Sequence, residues 1–349
     1  MPRKKHHKKQ SLFELTSTQN DDDLQKLIKA GKIHYEVREW IRTWIKPDMN
    51  LLDITTKIEN EVKLRSNYDV NNPLAGGLAF PVSLSINNCA AHYGSLNGEH
   101  NILKKDDICK IDFGIHFDGH LVDSAFTITF DEKYDKLIEC AKEATNKGVS
   151  LIAPDMIVGE IGEQIQEIIE SYEIELNGKT YKLKPINDLC GHSLDRFKIH
   201  TGIPIPNIKP DHKTEHLNTI KVEPNKLYAI EPYPTTGSGH VFSKPVCSHF
   251  CYNYFEHNLD EKFLLSGQEQ KLLQNIKQNY NTLPFNKRWL DDILNANQTM
   301  TIFRLVKKGV LTDFPPLYDI DGSYNAQFEN TVFLGNNEKK IVLTKGNDF

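Results

Sequence analysis

The segment from Lys110 to Phe130, KIDFGIHFDGHLVDSAFTITF, constrains the fold of this chain more than any other part of it. Apolar and polar residues alternate on both sides of the Asp-Gly pair at 118–119, a dipeptide that favours a two-residue β-turn. The pattern predicts a β-hairpin with Asp112 in one strand and Asp123 in the other.

Two registers of this hairpin are open. A loop at residues 118 and 119 opposes Asp112 to Ala125 and makes Asp123 a diagonal neighbour, whereas a loop at 117 and 118 opposes the two aspartates directly. In both registers the carboxylates share one face and lie about 5–8 Å apart. Like charges at that distance need either solvent or a cation. A solvated edge hairpin and a metal site therefore both explain the pair.

Three other places offer metal ligands. His192 lies in a Gly-His-Ser sequence, Glu231 lies in the apolar run YAIEPY, and Glu329 lies in AQFENTVF. An ionised glutamate in an apolar strand is costly unless it is paired or bound to a metal. Each residue alone is more often a paired core or edge residue, but together with the aspartates they form a plausible donor set.

Four carboxylates and one imidazole suit two divalent cations, because the charges of the carboxylates and of the metals cancel. Donors of this kind favour manganese, iron or cobalt over a thiolate-type zinc site. Two metals about 3.5–4 Å apart lower the pKa of a shared water and polarise a carbonyl. The chemistry predicted from these residues is hydrolysis of an amide by a hydroxide that bridges two metals.

Hydrophobic periodicity predicts an α+β fold with antiparallel sheet, since hairpins recur and a βαβ rhythm does not. A helical pattern starts at Asp21–Asp23, and a hairpin turn is expected at 177–178. The mostly helical stretch 249–313 interrupts the strand pattern and indicates an insertion. Helices are expected at 34–45, 51–66, 132–152, 158–172, 268–280, 286–295 and 301–308, and further strands at 78–86, 227–233, 327–334 and 340–343.

Composition limits the functional classes. The net charge of −5 argues against a general nucleic-acid binder, but residues 1–10, MPRKKHHKKQ, form a basic tail. That tail is either disordered and solvated or docks on an anionic surface such as ribosomal RNA. No apolar core of a signal peptide follows it, and no stretch is long and apolar enough to span a membrane. The six cysteines are scattered, which predicts reduced thiols and a cytoplasmic protein.

From about Leu24 to Phe349 the sequence resembles the methionine aminopeptidases of type 2. The resemblance implies the pita-bread fold, with residues 1–20 a disordered tail, 21–349 a single catalytic domain and 249–313 the helical insertion typical of type 2. It also implies removal of the initiator methionine from nascent polypeptides, cotranslationally and when the second residue is small, by a monomer. The motifs that carry it are NNCAAHY (87–93), DDICKIDFG (106–114), VDSAFTITF (122–130), ESYEIELNGKTYKLKPI (170–186), GHS (191–193), IHTG (199–202), YAIEP (228–232), CSHF (247–250), FNKRWLD (285–291), FPPLYDI (314–320) and GSYNAQFENTV (322–332).

The resemblance assigns roles to the metal ligands. Asp123 and Glu329 would bridge two divalent ions, which are cobalt, manganese, iron or zinc in this family. Asp112 would chelate one ion, and His192 with Glu231 would complete the other. Glu231 is also the candidate proton shuttle between the attacking water and the leaving amine.

The substrate site follows from the same resemblance. His92 would hydrogen-bond the substrate near the scissile amide, and it matches the histidine that fumagillin-type epoxides alkylate. His200 would bind on the side of the substrate carbonyl. The expected methionine pocket comprises Phe80, Ile199, His249 and Phe314.

Three features depart from the family pattern. Phe314 stands where a tyrosine is expected and Cys190 where an asparagine is expected. Both are expected near the pocket, so ligand selectivity is expected to differ while the chemistry is not. The long polybasic and polyacidic extension of many members is reduced to a short basic tail and Asp21–Asp23. This reduction puts the partner interactions of that extension in doubt.

Two alternatives remain on sequence grounds. One is a proline dipeptidase or aminopeptidase P of the same fold, which the insertion and the NNCAAHY motif argue against. The other is an inactive homologue that binds ribosomes or RNA, which the intact set of five metal ligands argues against.

Overall fold

The computed structural model describes residues 21–253, 265–336 and 339–348. The predicted disordered tail at 1–20 lies outside the described residues, and so does the part of the predicted insertion between 254 and 264. No helix in the described ranges is both long and apolar enough to cross a bilayer.

The helices follow the predicted pattern except at the start of the chain. The acidic start and the helix predicted at 34–45 belong to a single helix, and no proline lies between Asp21 and Pro47 to interrupt it. Buried Leu27, Val37 and Ile41 lie on its inner face. The helices are α1 (Asp21–Arg42), α2 (Leu51–Arg65), α3 (Asp135–Leu151), α4 (Val158–Glu170), α5 (Gly267–Tyr280), α6 (Lys287–Leu294) and α7 (Thr299–Lys307), with short 3-10 helices at Glu132–Tyr134 and Glu215–Asn218.

All strand pairs of the described sheets are antiparallel, which confirms the predicted class. The strands are β1 (Gly76–Ile86), β2 (Cys89–Ala91), β3 (Ile108–Phe117), β4 (His120–Thr129), β5 (Glu173–Leu176), β6 (Lys179–Lys182), β7 (Lys184–Pro185), β8 (Cys190–Leu194), β9 (Pro204–Pro206), β10 (Lys226–Ile230), β11 (Pro234–Thr235), β12 (Phe242–Ser243), β13 (His249–Tyr252), β14 (Phe285–Asn286), β15 (Leu311–Phe314), β16 (Leu317–Tyr318), β17 (Asn330–Leu334) and β18 (Lys340–Val342).

The hairpin β3–β4 takes the first of the two predicted registers. Asp112 pairs with Ala125, and Asp123 pairs with Gly114, so the two aspartates are diagonal neighbours. The turn has positive φ at both central residues, 49° at Asp118 and 80° at Gly119, as a type I′ turn requires. The hairpin predicted around residues 177 and 178 is also confirmed, between β5 and β6.

Two sheets carry the centre of the molecule, one with strand order β1-β3-β4 and one with order β18-β17-β10-β8-β9. Helices α1 and α2 contact the first sheet, and α3 and α4 contact the second. The sheets meet where β4 lies beside residues 327–331, through hydrogen bonds that include side-chain hydroxyls. One continuous hydrophobic core runs through both halves.

The stretch predicted as a helical insertion contains more strand than the sequence suggested. It holds α5, α6 and α7, but also the small sheet β14-β13-β15, in which His249 pairs with Phe314. These strands are only two to four residues long, so alternation is too brief to reveal them. A separate hydrophobic cluster between Phe250 and Leu311 forms its own small core.

Candidate active site

A cavity of about 550 Å³, its open mouth included, lies where the two central sheets and the β14-β13-β15 sheet meet. All the residues predicted from sequence to form the site line this cavity except Glu329. The lining residues are Phe80, Pro81, Ser83, His92, Asp112, Asp123, His192, Ile199, His200, Glu231, Tyr233, His249, Pro284 and Phe314.

Glu329 belongs to the same cluster. One ligand atom each from Asp123, His192 and Glu329 lies within 4.8 Å of the others, and all three residues are buried. They come from β4, from β8 and from the residue that precedes β17, so three separate parts of the chain meet here.

The other two predicted ligands flank this group. His192 Nε2 lies 3.1 Å from Glu231 Oε1 and 3.6 Å from Asp123 Oδ2. Asp112 lies on β3 beside Asp123, and the charges of both Asp123 and Glu231 act on its carboxyl group. The structure therefore brings together all five residues that were predicted to hold metals.

The four carboxyl groups have no cation among the described residues that line the cavity. Burial, with the repulsion of neighbouring carboxylates, raises the pKa values of Asp112, Asp123 and Glu329 well above their ordinary range. Burial raises the pKa of Glu231 to about 8. Such a cluster resists ionisation without a positive partner.

Two oxygens in the cluster, Asp112 Oδ1 and Glu329 Oε1, are buried and accept no hydrogen bond from any described residue. His192 is a neutral imidazole, because burial lowers its pKa to about 4. Neutral imidazole and carboxylate oxygen are donors that suit divalent transition metals, so these residues fit a carboxylate-rich metal centre.

Hydroxyl groups fix the positions of two of the ligands. Thr331 Oγ1 donates to Asp123 O at 2.6 Å and accepts from Asp123 N at 2.8 Å. Ser124 Oγ donates to Glu329 O at 2.6 Å, and Glu329 N donates to Ala125 O at 3.0 Å. The contact between the two sheets therefore sets the separation of Asp123 from Glu329.

Three histidines lie around the carboxylate cluster. Burial lowers the pKa of His92 to about 4, and the pKa values of His200 and His249 to about 3, so all three are neutral at physiological pH. The rings of His192 and His200 meet edge to face at 4.3 Å between centroids. The ring of Phe314 lies 5.8 Å from that of His92 and 6.0 Å from that of His200.

The backbone around His92 is unusual. His92 has a φ of 65°, a conformation that is uncommon for residues with a side chain and that occurs often at functional sites. Gly94 makes room nearby, because a Cβ there would lie 2.4 Å from Cε1 of His249. The chain is thus shaped to hold two imidazoles side by side at the cavity wall.

Sequence reasoning missed Tyr233 and Gln327. Tyr233 OH donates to Glu231 Oε2 at 2.6 Å, and Gln327 Nε2 lies 2.7 Å from Tyr233 OH and 3.2 Å from Glu329 Oε2. Each stands two residues from a glutamate ligand in an extended segment, so the two-residue period of a strand places it on the same side. That spacing was the signal available in the sequence.

Of the two departures near the expected pocket, only Phe314 lines the cavity. Cys190 is the first residue of β8 and its side chain is exposed. Cys190 is therefore not part of the cavity wall, although it lies close enough for the charge of Glu231 to act on its thiol.

The model of metallopeptidase family M24 matches residues 25–253. Methionine aminopeptidase 2 of Komagataella phaffii is 40% identical over 321 residues, 92% of this chain and 69% of that protein. Methionine aminopeptidase 2 of Schizosaccharomyces pombe is 40% identical over 331 residues, 95% of this chain and 75% of that protein.

Solved structures agree on the fold. A thermophilic Arx1 superposes with a TM-score of 0.77 at 15% identity, covering 94% of this chain and 92% of that one. A methionine aminopeptidase from Thermotoga maritima gives 0.60 at 20% identity, covering 94% and 98%. The prolidase from Pyrococcus furiosus gives 0.53 at 14% identity, covering 94% and 65%. The predicted pita-bread fold is confirmed, and differently named proteins share it.

Proposed function

Because the chain belongs to metallopeptidase family M24 and, within it, to the type 2 methionine aminopeptidases, it is a metal-dependent hydrolase that removes initiator methionine, and we propose that it does so at the cluster around Asp123. The observation that carries the proposal is the convergence of five buried ligand residues on one cavity. In this proposal Asp123 and Glu329 would serve both of two divalent ions, Asp112 would bind one of them, and His192 with Glu231 would bind the other.

Bound divalent metals would lower the pKa of a shared water and polarise the substrate carbonyl. Cobalt, manganese, iron and zinc all suit the donor set. Side chains of the protein transfer the proton and bind the substrate. Glu231 takes a proton from the attacking water and delivers it to the leaving amine nitrogen, as a general base and then a general acid.

His92 and His200 are proposed to bind the two ends of the scissile amide, His92 the nitrogen side and His200 the carbonyl side. Their neutral rings each offer one N–H donor and one acceptor. The apolar rim made by Phe80, Ile199 and Phe314 accepts the methionine side chain, and His249 completes its wall. The second residue of the substrate is proposed to be small.

The role of His92 has a direct chemical test. A neutral imidazole at the cavity wall is a nucleophile, so a fumagillin-type epoxide should form one covalent adduct on His92. Peptide mapping by mass spectrometry locates the adduct, with His116→Ala as a control that should react like wild type, because His116 lies outside the cavity lining. Labelling of a different residue would contradict this assignment.

A proline dipeptidase or aminopeptidase P is the rival that shares the fold. Hydrolysis of Met-Ala-Ser should greatly exceed hydrolysis of X-Pro peptides by the same preparation. The reverse preference would overturn the substrate assignment. Absence of hydrolysis of either class, with metals bound, would favour an inactive homologue instead.

We further propose a single catalytic domain from residue 21 to residue 349, with 249–313 as an insertion that has its own small core. The protein is proposed to be a cytoplasmic monomer that acts on nascent polypeptides, with the basic residues 1–10 docking on the ribosome. Co-sedimentation with ribosomes should decrease when residues 1–10 are deleted and when salt is raised. Equal co-sedimentation with and without the tail would rule the docking role out.

A further inference from the structure

Tyr233 stands where nothing in the sequence prediction placed a functional group, yet its hydroxyl is buried among the metal-ligand candidates. Only 2% of Tyr233 is exposed, and its ring packs against Ala90 and Ile186. Its backbone is held as well, because Ile186 N donates to Tyr233 O at 2.9 Å. Packing and the backbone hydrogen bond therefore fix the position of the ring, and with it the position of the hydroxyl.

The direction of the hydrogen bonds around this hydroxyl follows from chemistry. The side-chain nitrogen of Gln327 only donates, and it reaches both Tyr233 OH and Glu329 Oε2. The opposite amide orientation would set the Gln327 oxygen against a carboxylate. Tyr233 O thus accepts from Gln327, and its single proton is directed to Glu231.

That proton meets Glu231 Oε2 at 2.6 Å, the length of a charge-assisted O–H···O⁻ bond. The other oxygen, Glu231 Oε1, faces His192 Nε2 at 3.1 Å. The two oxygens of Glu231 therefore have different surroundings. One faces His192 among the candidate metal ligands, and the other accepts the hydrogen bond from the tyrosine.

We propose that Tyr233, directed by Gln327, is a positioning residue that restricts Glu231 to one metal-facing oxygen and fixes the carboxylate for proton transfer. The inference rests on the proposed role of Glu231. Gln327 contacts Glu329 directly and Glu231 through Tyr233, so it ties the two glutamates of the centre into one hydrogen-bonded unit. Partners of this kind orient metal ligands, and their loss typically costs about 10–100-fold in metal affinity or activity.

The test replaces Tyr233 by phenylalanine, which keeps the packed ring and removes only the hydroxyl. A matched control is Tyr228→Phe in β10, whose buried hydroxyl donates to Glu223 O at 2.9 Å and accepts from Glu223 N at 2.8 Å, away from the cavity lining. Calorimetric titration of each metal-free protein with Mn²⁺ should show about tenfold weaker binding for Tyr233→Phe, and no change for Tyr228→Phe.

Two further readouts separate positioning from a general structural role. With Met-Ala-Ser, kcat should fall about tenfold in Tyr233→Phe while KM changes little, because the hydroxyl is engaged by Glu231 and Gln327 rather than by the substrate. In the Co²⁺-loaded protein, the visible absorption should weaken as Glu231 gains a second metal-facing oxygen and the coordination number rises. Gln327→Leu should shift metal binding in the same direction, and combining it with Tyr233→Phe should cost less than the sum of the two.

Unchanged Mn²⁺ affinity, kcat and Co²⁺ spectrum in Tyr233→Phe would overturn the proposal, as would a rise in KM alone, which would place the hydroxyl on the substrate. Failure of the proposed function is distinguishable, since the wild-type protein itself would then bind no Mn²⁺ at this cluster or leave Met-Ala-Ser intact.

Discussion

Thr331→Val removes the hydroxyl that anchors Asp123 while nearly preserving the shape of the side chain. Thr331 is fully buried, and its hydroxyl satisfies both the N–H and the carbonyl of Asp123, at 2.8 and 2.6 Å. Valine leaves both backbone groups without these partners in the interior. Each unsatisfied buried group costs about 1–3 kcal/mol, so the free energy of unfolding should fall by about 2–6 kcal/mol.

The control is Thr331→Ser, which keeps the hydroxyl and deletes one methyl group. That deletion should cost about 1 kcal/mol. Urea denaturation of the metal-free proteins compares the two variants, and Mn²⁺ titration then asks whether the loosened Asp123 binds metal more weakly. If Thr331→Val were as stable as Thr331→Ser, the hydroxyl contact between the sheets would not be what holds Asp123, and the reasoning would be refuted.

Three further predictions follow from buried charges. Burial lowers the pKa of His34 to about 3, below the ordinary 6.5. Its contribution to the free energy of unfolding is therefore complete above pH 6.5 and is lost as the pH falls towards 3, at up to about 1.4 kcal/mol per pH unit. In urea denaturation between pH 4 and 6, the free energy of unfolding should depend less steeply on pH in His34→Gln than in the wild type, and an identical slope would contradict this. Glu59→Ala leaves the buried Arg288 without its partner at 2.7 Å and should lower the free energy of unfolding by about 3–5 kcal/mol. The control Glu61→Ala removes a more exposed ion pair on α2 and should cost under about 1 kcal/mol. Equal denaturation midpoints for the two variants would refute this prediction. Because the carboxyl groups of the cluster have raised pKa values, Mn²⁺ binding at pH 7 should release protons. Titration calorimetry in buffers of different ionisation enthalpy measures this release. A heat of binding that does not depend on the buffer would contradict the prediction.

The sequence was most informative where structure is local. The Asp-Gly turn and the alternation around it were sufficient to predict the β3–β4 hairpin and the shared face of Asp112 and Asp123, and the structure decided between the two registers. Apolar stripes likewise predicted α2 and α4, because a helix buries one face at a regular interval.

Features that depend on distant parts of the chain were not accessible in this way. His249 and Phe314 pair across the ladder of β13 and β15, strands too short to show a period. The role of Thr331 arises because β4 and β17 meet, and pairing between strands distant in sequence leaves no mark on either of them. For Tyr233 and Gln327 the sequence offered only their two-residue spacing from Glu231 and Glu329.

The candidate site shows the same division. Individually, His192, Glu231 and Glu329 gave weak signals, since single polar residues in apolar runs are usually paired core groups. The three residues come together because the strand order β17-β10-β8 places them side by side next to β4. The resemblance to a known family supplied that arrangement before the structure did.

The most direct test of the account is the metal content of the wild type, Asp123→Asn and Glu329→Gln, measured together with hydrolysis of Met-Ala-Ser. Both substitutions keep the size of the side chain and remove one charge from a proposed bridge. We expect about two divalent ions per wild-type chain, and in each variant loss of metal with at least about a 100-fold loss of activity. Near wild-type hydrolysis by either variant would contradict the dinuclear centre.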